Sequence, residues 1–218
     1  MGIRILLADD HRIMRSGLRS LVEKEPDMEV VAEAEDGRMA VKLVEDLSPD
    51  VVVMDIGMPG LNGIEATRQI TERASGVRVV ALSMHSDRQF VAGMLGAGAS
   101  GYLLKDCTFS ELVRAVRTVA ANQVYLSPCI AGVVVEDYVR HTSASGGYPD
   151  FFVLTARERE VLQLLTEGET AKEVASCLRV SVKTVENHRQ KIMEKLDLHS
   201  IAKLTKYAIR AGLTSLDA

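Results

Sequence analysis

The sequence predicts a doubly wound α/β domain with a parallel sheet, followed by a small all-α domain. Over residues 1–123, short aliphatic runs of strand length alternate with segments in which apolar residues recur at helical spacing. From residue 154 onward, every segment has helical spacing. Regular alternation of strands and helices is typical of a parallel sheet that is covered by helices on both faces.

Five runs have the length and composition of strands. They are IRILLA (3–8), MEVVAEA (28–34), VVVM (51–54), VRVVALS (77–83) and SGYLL (100–104). The third run does not alternate with polar residues, as expected for a strand that is buried on both faces. For such a five-stranded, flavodoxin-like domain we expect the strand order 2-1-3-4-5, in which strands one and three flank the point where the order reverses.

The composition is that of a chain that can bury a core without disulfides. Of 218 residues 47% are apolar, and Cys107, Cys129 and Cys177 form no CxxC pair and no Cys/His metal spacing. We therefore expect reduced thiols and a cytoplasmic protein. Cys177 lies in an apolar helical segment and is expected to be in the core. The opening MGIRILLADD meets two acids too early for a signal peptide, and no apolar run approaches the ~18 residues of a membrane span.

Polar residues stand where the predicted strands end: Asp9, Asp10, Asp55, Ser83 and Lys105. Ligand sites of such sheets lie beyond the carboxyl ends of the strands, where the strand order reverses, so the three carboxylates are expected to converge. Carboxylates that lie so close repel each other unless a cation joins them. Oxygen ligands suit a hard divalent ion, most simply Mg²⁺, which keeps waters free for a phosphoryl group.

This constellation gives Asp55 a chemical role. A lone aspartate at a strand end is more often a helix cap or a turn residue, but the matched strand exits favour a site. Asp55 is expected to be a carboxylate nucleophile toward phosphorus, with the metal and the Lys105 ammonium neutralising the developing charge. Ser83 is expected to donate a hydrogen bond to a phosphoryl oxygen.

Residues 1–123 resemble the receiver domain of two-component systems. The resemblance rests on LLADDH (6–11), MDIGMPGLNG (54–63), ALSMH (81–85) and GASGYLLKD (98–106). It implies that Asp55 accepts phosphate from the phosphohistidine of a sensor histidine kinase or from a small phosphodonor. It also implies a Mg²⁺ site made by Asp10, Asp55 and the backbone carbonyl of Gly57, with Asp9 acting mainly through water.

The same resemblance implies a switch. Ser83 and Tyr102 match the family pair in which the hydroxyl moves to the phosphate and the aromatic ring turns inward, so that the phosphoryl group biases a two-state surface. One departure is Asp106, which follows Lys105 where many receivers have proline. This departure disfavours a cis bond, which costs about 3 kcal/mol without proline.

The middle of the chain is predicted to link two domains. A short helix is expected to begin near Pro128 and to cover IAGVVVEDYVR, and it precedes HTSASGGYPD (141–150), which is rich in Ser and Gly and is expected to be flexible. We predict a first domain over residues 1–123, a linker over 124–152 and a second domain over 153–218.

The second domain is predicted to contain four helices. They cover LTAREREVLQLLTEG (154–168), TAKEVASCL (170–178), VKTVENHRQKIMEKL (182–196) and SIAKLTKYAIRAGL (200–213). A short second helix, a tight turn at 179–181 and a longer third helix suit helix-turn-helix geometry. The third helix has an inward stripe of Val185, Ile192 and Leu196. Its outward face carries Lys183, Glu186, Asn187 and Gln190.

That outward face would enter a major groove of DNA. Asn187 and Gln190 can pair with adenine, and Glu186 can accept a hydrogen bond from cytosine. Residues 153–213 resemble the LuxR-type DNA-binding domain, through LTAREREVL, EVASCL, VSVKTVENH and KIMEKL. The resemblance implies DNA-facing positions at Lys183, Thr184, Glu186, Asn187, His188, Gln190 and Lys191. Glu186 departs from the family pattern, because relatives often carry Lys there.

Nearly the entire chain thus resembles a two-component response regulator of the NarL/FixJ type. The resemblance implies a transcription regulator of the cytoplasm that binds double-stranded DNA. Phosphorylation would free or reorient the second domain and favour homodimers, because paired half-sites supply specificity that one helix-turn-helix lacks. The chain would be no metabolic enzyme, and it would lose its phosphate slowly.

Two other functions stay open. A Mg²⁺-dependent phosphohydrolase needs a second carboxylate two residues beyond Asp55, and that position is Gly57. A regulator controlled by a partner or ligand without phosphate would keep the second domain and would not respond to an acyl phosphate. A nucleotide-driven machine is disfavoured because the sequence has no GxxxxGK[ST] motif.

Overall fold

The computed structural model of the chain describes residues 2–143 and 153–214. The chain divides into two compact units, Met1–Ala144 and Ser145–Ala218. Most of the segment that the sequence predicts to be flexible, from residue 144 on, lies outside the described residues. Within the described ranges, no helix combines the length and the hydropathy that a membrane span requires.

The first unit contains a parallel sheet in the order β2-β1-β3-β4-β5-β6. Its strands are β1 (Ile3–Ala8), β2 (Met28–Ala34), β3 (Val51–Asp55), β4 (Arg78–Ser83), β5 (Gly101–Leu104) and β6 (Tyr125–Leu126). The predicted fold class and the order of the first five strands are confirmed. Because β1 and β3 are direct neighbours, with Ala8 opposite Met54, their carboxyl ends lie side by side.

Helices cover both faces of this sheet. They are α1 (Arg12–Val22), α2 (Gly37–Leu47), α3 (Gly63–Arg73), α4 (Arg88–Gly96) and α5 (Phe109–Ala120). Leu6 and Ala8 of β1 belong to a core shared with α2, α3 and α4, whereas Ile5 and Leu7 belong to a core shared with α1 and α5. Burial on both faces explains why the strands are continuous aliphatic runs.

The sheet has a sixth strand that is not predicted from the sequence. The two residues of β6 pair with Gly101 and Tyr102 of β5. The chain then enters α6 (Pro128–Ser143), which packs against α4 and buries Ile130 in the α4 side of the core. The helix expected near Pro128 is therefore present and longer than predicted, and it is grouped with the first unit. The domain boundaries at residues 123 and 152 stay predictions.

The second unit contains α7 (Ala156–Thr166), α8 (Ala171–Leu178), α9 (Val182–Leu196) and α10 (Ile201–Arg210). These helices close around one core, in which Val161, Val174, Val185, Ile192 and Leu204 are fully buried. The turn between α8 and α9 is tight because Arg179 adopts a left-handed φ of 52°. Ser181 then caps α9 by accepting a hydrogen bond from the backbone N–H of Thr184. The predicted helix-turn-helix arrangement is confirmed.

The expectation that Cys177 lies in the core is wrong. Its side chain is exposed, whereas Val174, Ala175 and Leu178 of the same helix are buried. A helix of only eight residues presents one narrow buried stripe, and Cys177 falls outside it. Apolar neighbours in the sequence therefore do not become its neighbours in space.

Candidate functional site

Three carboxylates meet at the carboxyl ends of β1 and β3. Asp9 and Asp10 follow β1, and Asp55 is the last residue of β3. One ligand atom from each of Asp9, Asp10, His11 and Asp55 lies within 4.8 Å of all the others. Asp9 and Asp55 are buried, and Asp10 is half-buried. The strand order thus brings together the three carboxylates for which the sequence predicts a common site.

Lys105, which follows β5, reaches into this carboxylate cluster. Its Nζ lies 2.8 Å from Oδ2 of Asp9 and donates a hydrogen bond of 2.8 Å to Oδ2 of Asp55. The other oxygen of Asp55, Oδ1, accepts a hydrogen bond of 2.7 Å from the backbone N–H of Ile56. The phosphoacceptor candidate is therefore held at both of its oxygens.

No peptide bond among the described residues is cis, so the Lys105–Asp106 bond is trans.

Burial sets the electrostatics of the cluster. It raises the pKa of Asp55, and the nearby Lys105 ammonium only partly opposes this effect. Burial alone would lower the pKa of Lys105, but the carboxylates of Asp55 and Asp9 raise it above its ordinary value. One ammonium thus faces two buried carboxylates and a third that is half-buried. The cluster keeps an excess of negative charge that favours a cation.

His11 is a member of the cluster that is not predicted from the sequence. Its Nδ1 lies 2.8 Å from Oδ1 of Asp10 and 3.3 Å from Oδ1 of Asp9, and 70% of its side chain is exposed. Its backbone N–H also donates a hydrogen bond of 2.8 Å to Oδ1 of Asp9. The available signal was its position, since His11 directly follows the two aspartates. The imidazole therefore lies at the open mouth of the cluster.

The donor set fits a hard divalent cation. Carboxylate oxygens are the protein ligands that Mg²⁺ prefers, and the negative charge left over beside Lys105 favours a cation. Gly57, whose carbonyl the family resemblance assigns to the metal, is exposed and follows Asp55 by two residues. The acidic pocket of Asp9, Asp10 and Asp55 is thus suited to a divalent metal.

Ser83 and Tyr102 both form hydrogen bonds with the backbone of His85. Oγ of Ser83 accepts a hydrogen bond of 3.0 Å from the N–H of His85, and the Tyr102 hydroxyl donates one of 2.7 Å to the carbonyl of His85. Both side chains are buried, and burial raises the pKa of Tyr102 to about 12. The His85 ring stacks on Phe90 of α4, with ring centroids 4.2 Å apart. A movement of His85 would therefore be transmitted to α4 through Phe90.

In the second unit, α9 has the outward face that the sequence predicts. The candidate residues exposed on it are Lys183, Glu186, Asn187, Gln190 and Lys191. Thr184 and His188 are half-buried, so they flank this face. The Thr184 hydroxyl lies 2.8 Å from the hydroxyl of Ser181, at the N-terminal end of the helix. The structure thus separates the seven candidates into five that project outward and two that lie at the edge.

Two side-chain contacts of α9 are not predicted from the sequence. Nε2 of Gln190 donates a hydrogen bond of 2.9 Å to Oε1 of Glu194. Nζ of Lys195 donates one of 2.6 Å to Oε2 of Glu158, which also accepts a bond of 2.8 Å from the N–H of Thr155. Burial would raise the pKa of Glu158, but Lys195 and Thr155 hold it below its ordinary value. Lys195 thereby ties the end of α9 to the start of α7.

An acidic pocket at the switch point of a doubly wound unit, in one chain with a helix-turn-helix unit, defines a DNA-binding response regulator. The family comparisons lead to the same class. Residues 5–117 match the response regulator receiver domain, and residues 152–208 match the LuxR family of bacterial regulatory proteins. The chain therefore belongs to the LuxR-family response regulators of two-component systems.

Similar proteins extend over almost the whole chain. Transcriptional regulatory protein DegU of Brevibacillus brevis is 38% identical over an alignment of 222 residues, gaps included, that covers 96% of this chain and 94% of that protein. A crystal structure of a LuxR-family response regulator from Aurantimonas sp. SI85-9A1 is 42% identical, with a TM-score of 0.61, and covers 64% of this chain and 99% of its own. Response regulator ChrA of a heme-sensing two-component system is 34% identical, with a TM-score of 0.53, and covers 97% of this chain and 98% of its own. The family that the sequence resemblance implies is confirmed.

Proposed function

We propose that phosphorylation of Asp55 switches this response regulator. The observation that carries the proposal is the cluster in which Asp55 lies beside Asp9 and Asp10 while Lys105 donates to its Oδ2. A carboxylate oxygen of Asp55 attacks the phosphorus of the phosphohistidine of a sensor histidine kinase, or of a small phosphodonor. The new bond from oxygen to phosphorus forms as the bond from phosphorus to the donor breaks, and the donor leaves with that electron pair.

The cluster residues divide the remaining tasks of this reaction. Asp10, Asp55 and the carbonyl of Gly57 would hold Mg²⁺, with Asp9 acting mainly through water. When bound, the ion supplies positive charge against the oxygens of the phosphoryl group. Lys105 already donates to Asp55, and it would pass this hydrogen bond to a phosphoryl oxygen.

Ser83 and Tyr102 form the proposed switch. Because Oγ of Ser83 accepts from the His85 N–H, its own proton remains available for a phosphoryl oxygen. Tyr102 holds the carbonyl of the same residue, and the His85 ring contacts Phe90 of α4. A shift of Ser83 toward the phosphoryl group would therefore change the position of the loop after β4 and of α4.

Loss of the phosphoryl group would be slow. An aspartate-based phosphohydrolase needs a carboxylic acid two residues beyond its nucleophile, and this chain has Gly57 there. Water would then attack the acyl phosphate without help from a carboxylic acid at that position. The chain would thus act as a switch and would not be a metabolic enzyme.

The proposed DNA-binding surface is the outward face of α9, in the major groove of double-stranded DNA. Asn187 and Gln190 would read adenine, and Glu186 would accept from cytosine. Lys183 and Lys191 would contact phosphates, together with Thr184 and His188 at the edge of the face. Phosphorylation would favour homodimers that bind paired half-sites. Because its target is bacterial DNA, we place the protein in the cytoplasm.

The most direct test measures DNA binding with and without an acyl phosphate and Mg²⁺. The variants are Asp55→Ala and, as a matched control, Asp46→Ala, which removes an exposed carboxylate on α2. We expect the phosphodonor to tighten DNA binding by the wild type and by Asp46→Ala, and to leave Asp55→Ala unchanged. An equal response of all three proteins would place the switch elsewhere.

A second test separates base reading from phosphate contacts. Asn187→Ala should relax the preference for one base pair by about 1 to 3 kcal/mol, because a bidentate contact to a base is lost. Lys191→Ala should weaken binding to all sequences and lower the salt dependence by about one phosphate contact. If Asn187→Ala keeps the preference of the wild type, that residue does not read the sequence.

A further inference from the structure

The hydrogen bond between Gln190 and Glu194 joins two exposed side chains on α9. Nε2 of Gln190 lies 2.9 Å from Oε1 of Glu194. Residues four apart on a helix are about 40° apart around its axis and about 6 Å apart along it, so both side chains share one side of α9. Glu194 therefore lies one turn beyond the part of the outward face that is proposed to read bases.

Glu194 fixes the orientation of the side-chain amide of Gln190. A side-chain amide has a carbonyl oxygen that only accepts and an NH₂ group that only donates, and an ionised carboxylate only accepts. If the amide turned by half a rotation, its oxygen would face the Glu194 carboxylate, and two acceptors would repel. The observed orientation directs the NH₂ group of Gln190 toward Glu194 and leaves Oε1 free on the other side.

The charge of Glu194 is not neutralised by the lysine that follows it. Nζ of Lys195 is 2.6 Å from Oε2 of Glu158 at the start of α7. Glu158 is buried, and its Oε2 also accepts a hydrogen bond of 2.8 Å from the N–H of Thr155, so the carboxylate is held in place to pair with Lys195. Lys195 is thus engaged on another helix, and the carboxylate of Glu194 stays available to hold the amide.

We propose that Glu194 is a positioning residue that makes Gln190 selective for adenine over guanine. The proposal rests on the proposed function, in which α9 enters the major groove. Adenine presents one donor and one acceptor there, whereas guanine presents two acceptors. Gln190 in the observed orientation offers Oε1 and one remaining N–H, which match adenine. With one N–H bonded to Glu194, it cannot turn both N–H groups toward guanine.

The substitution Glu194→Ala removes this constraint and leaves the readout residue intact. The freed amide can then turn its NH₂ group toward the acceptors of guanine. We expect the preference for adenine over guanine at the base pair facing Gln190 to fall by about 5-fold, which corresponds to the low end of the range for one bidentate contact. Both side chains are exposed, so the variant should fold as the wild type does.

The experiment compares five proteins in a competition assay on duplexes that vary each base pair of a selected binding site. They are the wild type, Glu194→Ala, Glu194→Gln, Gln190→Ala and the double variant Gln190→Ala/Glu194→Ala. Glu194→Gln should also lower the preference, because its amide can donate to Oε1 of Gln190 as readily as it accepts from Nε2 and so no longer fixes the orientation. In the background of Gln190→Ala, removal of Glu194 should have no further effect on base preference.

Two results would overturn the proposal. One is a Glu194→Ala variant that retains the preference of the wild type at every position. The other is a change of preference that is as large in the Gln190→Ala background, which would mean that Glu194 acts independently. If Gln190→Ala itself leaves every preference unchanged, the reading role of Gln190 fails first. If Gln190→Ala relaxes one position and Glu194→Ala does not, only this inference fails.

Discussion

Gly63 is the residue at which the smallest change in sequence should disturb the carboxylate cluster most. It is the first residue of α3, and its N–H donates a hydrogen bond of 2.9 Å to the carbonyl of Ile56. A methyl group built at Gly63 would collide with the backbone carbonyl of Asp55 and approach Cα of Ile56 to 2.9 Å. Because both obstacles are backbone, no change of side-chain rotamer can relieve the collision.

The magnitude follows from two opposing effects. Forcing extra volume into a packed site costs about 1 to 3 kcal/mol, and contact with backbone places Gly63→Ala at the upper end of that range. Replacement of glycine returns about 0.4 to 1 kcal/mol by restricting the unfolded chain. We therefore expect the free energy of unfolding to fall by about 2 kcal/mol. Displacement of Asp55 away from Lys105 should also lower the yield of phosphorylation.

Gly17→Ala is the matched control. Gly17 lies inside α1, is exposed, and has no atom within 4 Å of the position of an added methyl group. The same chemical change should therefore raise the free energy of unfolding by about 0.5 to 1 kcal/mol, with phosphorylation unchanged. Urea unfolding measures stability, and mass spectrometry measures the phosphoryl group on Asp55. The reasoning is refuted if Gly63→Ala is as stable as the wild type and is phosphorylated equally.

Three further variants test other contacts. Ile130→Ala should lower the free energy of unfolding in urea by about 2 to 4 kcal/mol, because its side chain is fully buried where α6 meets α4. The control Val135→Ala, at a residue of the same helix that is 61% exposed, should change it by less than about 0.5 kcal/mol. Similar losses for both variants would contradict the docking of α6. Tyr102→Phe should cost about 1 kcal/mol in the same assay, because the half-buried carbonyl of His85 loses its 2.7 Å hydrogen bond. An unchanged midpoint would mean that this bond contributes nothing. The folded pKa of Glu158 is below its ordinary 4.5, so its contribution to stability is present above pH 4.5 and disappears as pH falls through the folded value. The difference in unfolding free energy between wild type and Glu158→Gln should shrink over that acid range, and a difference independent of pH would contradict the ionised pair with Lys195.

The parts of the fold that are repetitive or long could be predicted from the sequence. Strands buried on both faces must be continuous aliphatic runs, so β1 to β5 and the positions of Asp9 and Asp55 at their ends follow from the pattern. The strand β6 has two residues, too few for any period, and it exists because it pairs with β5. The docking of α6 depends on which of its apolar residues meets α4, and that is decided by the tertiary fold.

The contacts within the candidate sites were less predictable than the sites themselves. His11 belongs to the carboxylate cluster because its backbone N–H donates a hydrogen bond to Oδ1 of Asp9, which keeps the residue beside the aspartates. The pairing of Lys195 with Glu158 joins residues 37 positions apart, and no local pattern reports such a pair. The wrong expectation for Cys177 has the same origin, since a short helix leaves the direction of each side chain to its packing.

Glu186 and Glu194 place two carboxylates on the surface that would approach DNA, and this has a consequence for the search of a genome. Attraction to arbitrary DNA comes from cations facing phosphates, and each carboxylate nearby subtracts from it. A regulator built in this way should spend less time on the many irrelevant sites that compete for every copy in the cell. Its occupancy of a true operator would then depend on correct bases and on pairing of two copies, so that a small number of molecules could suffice.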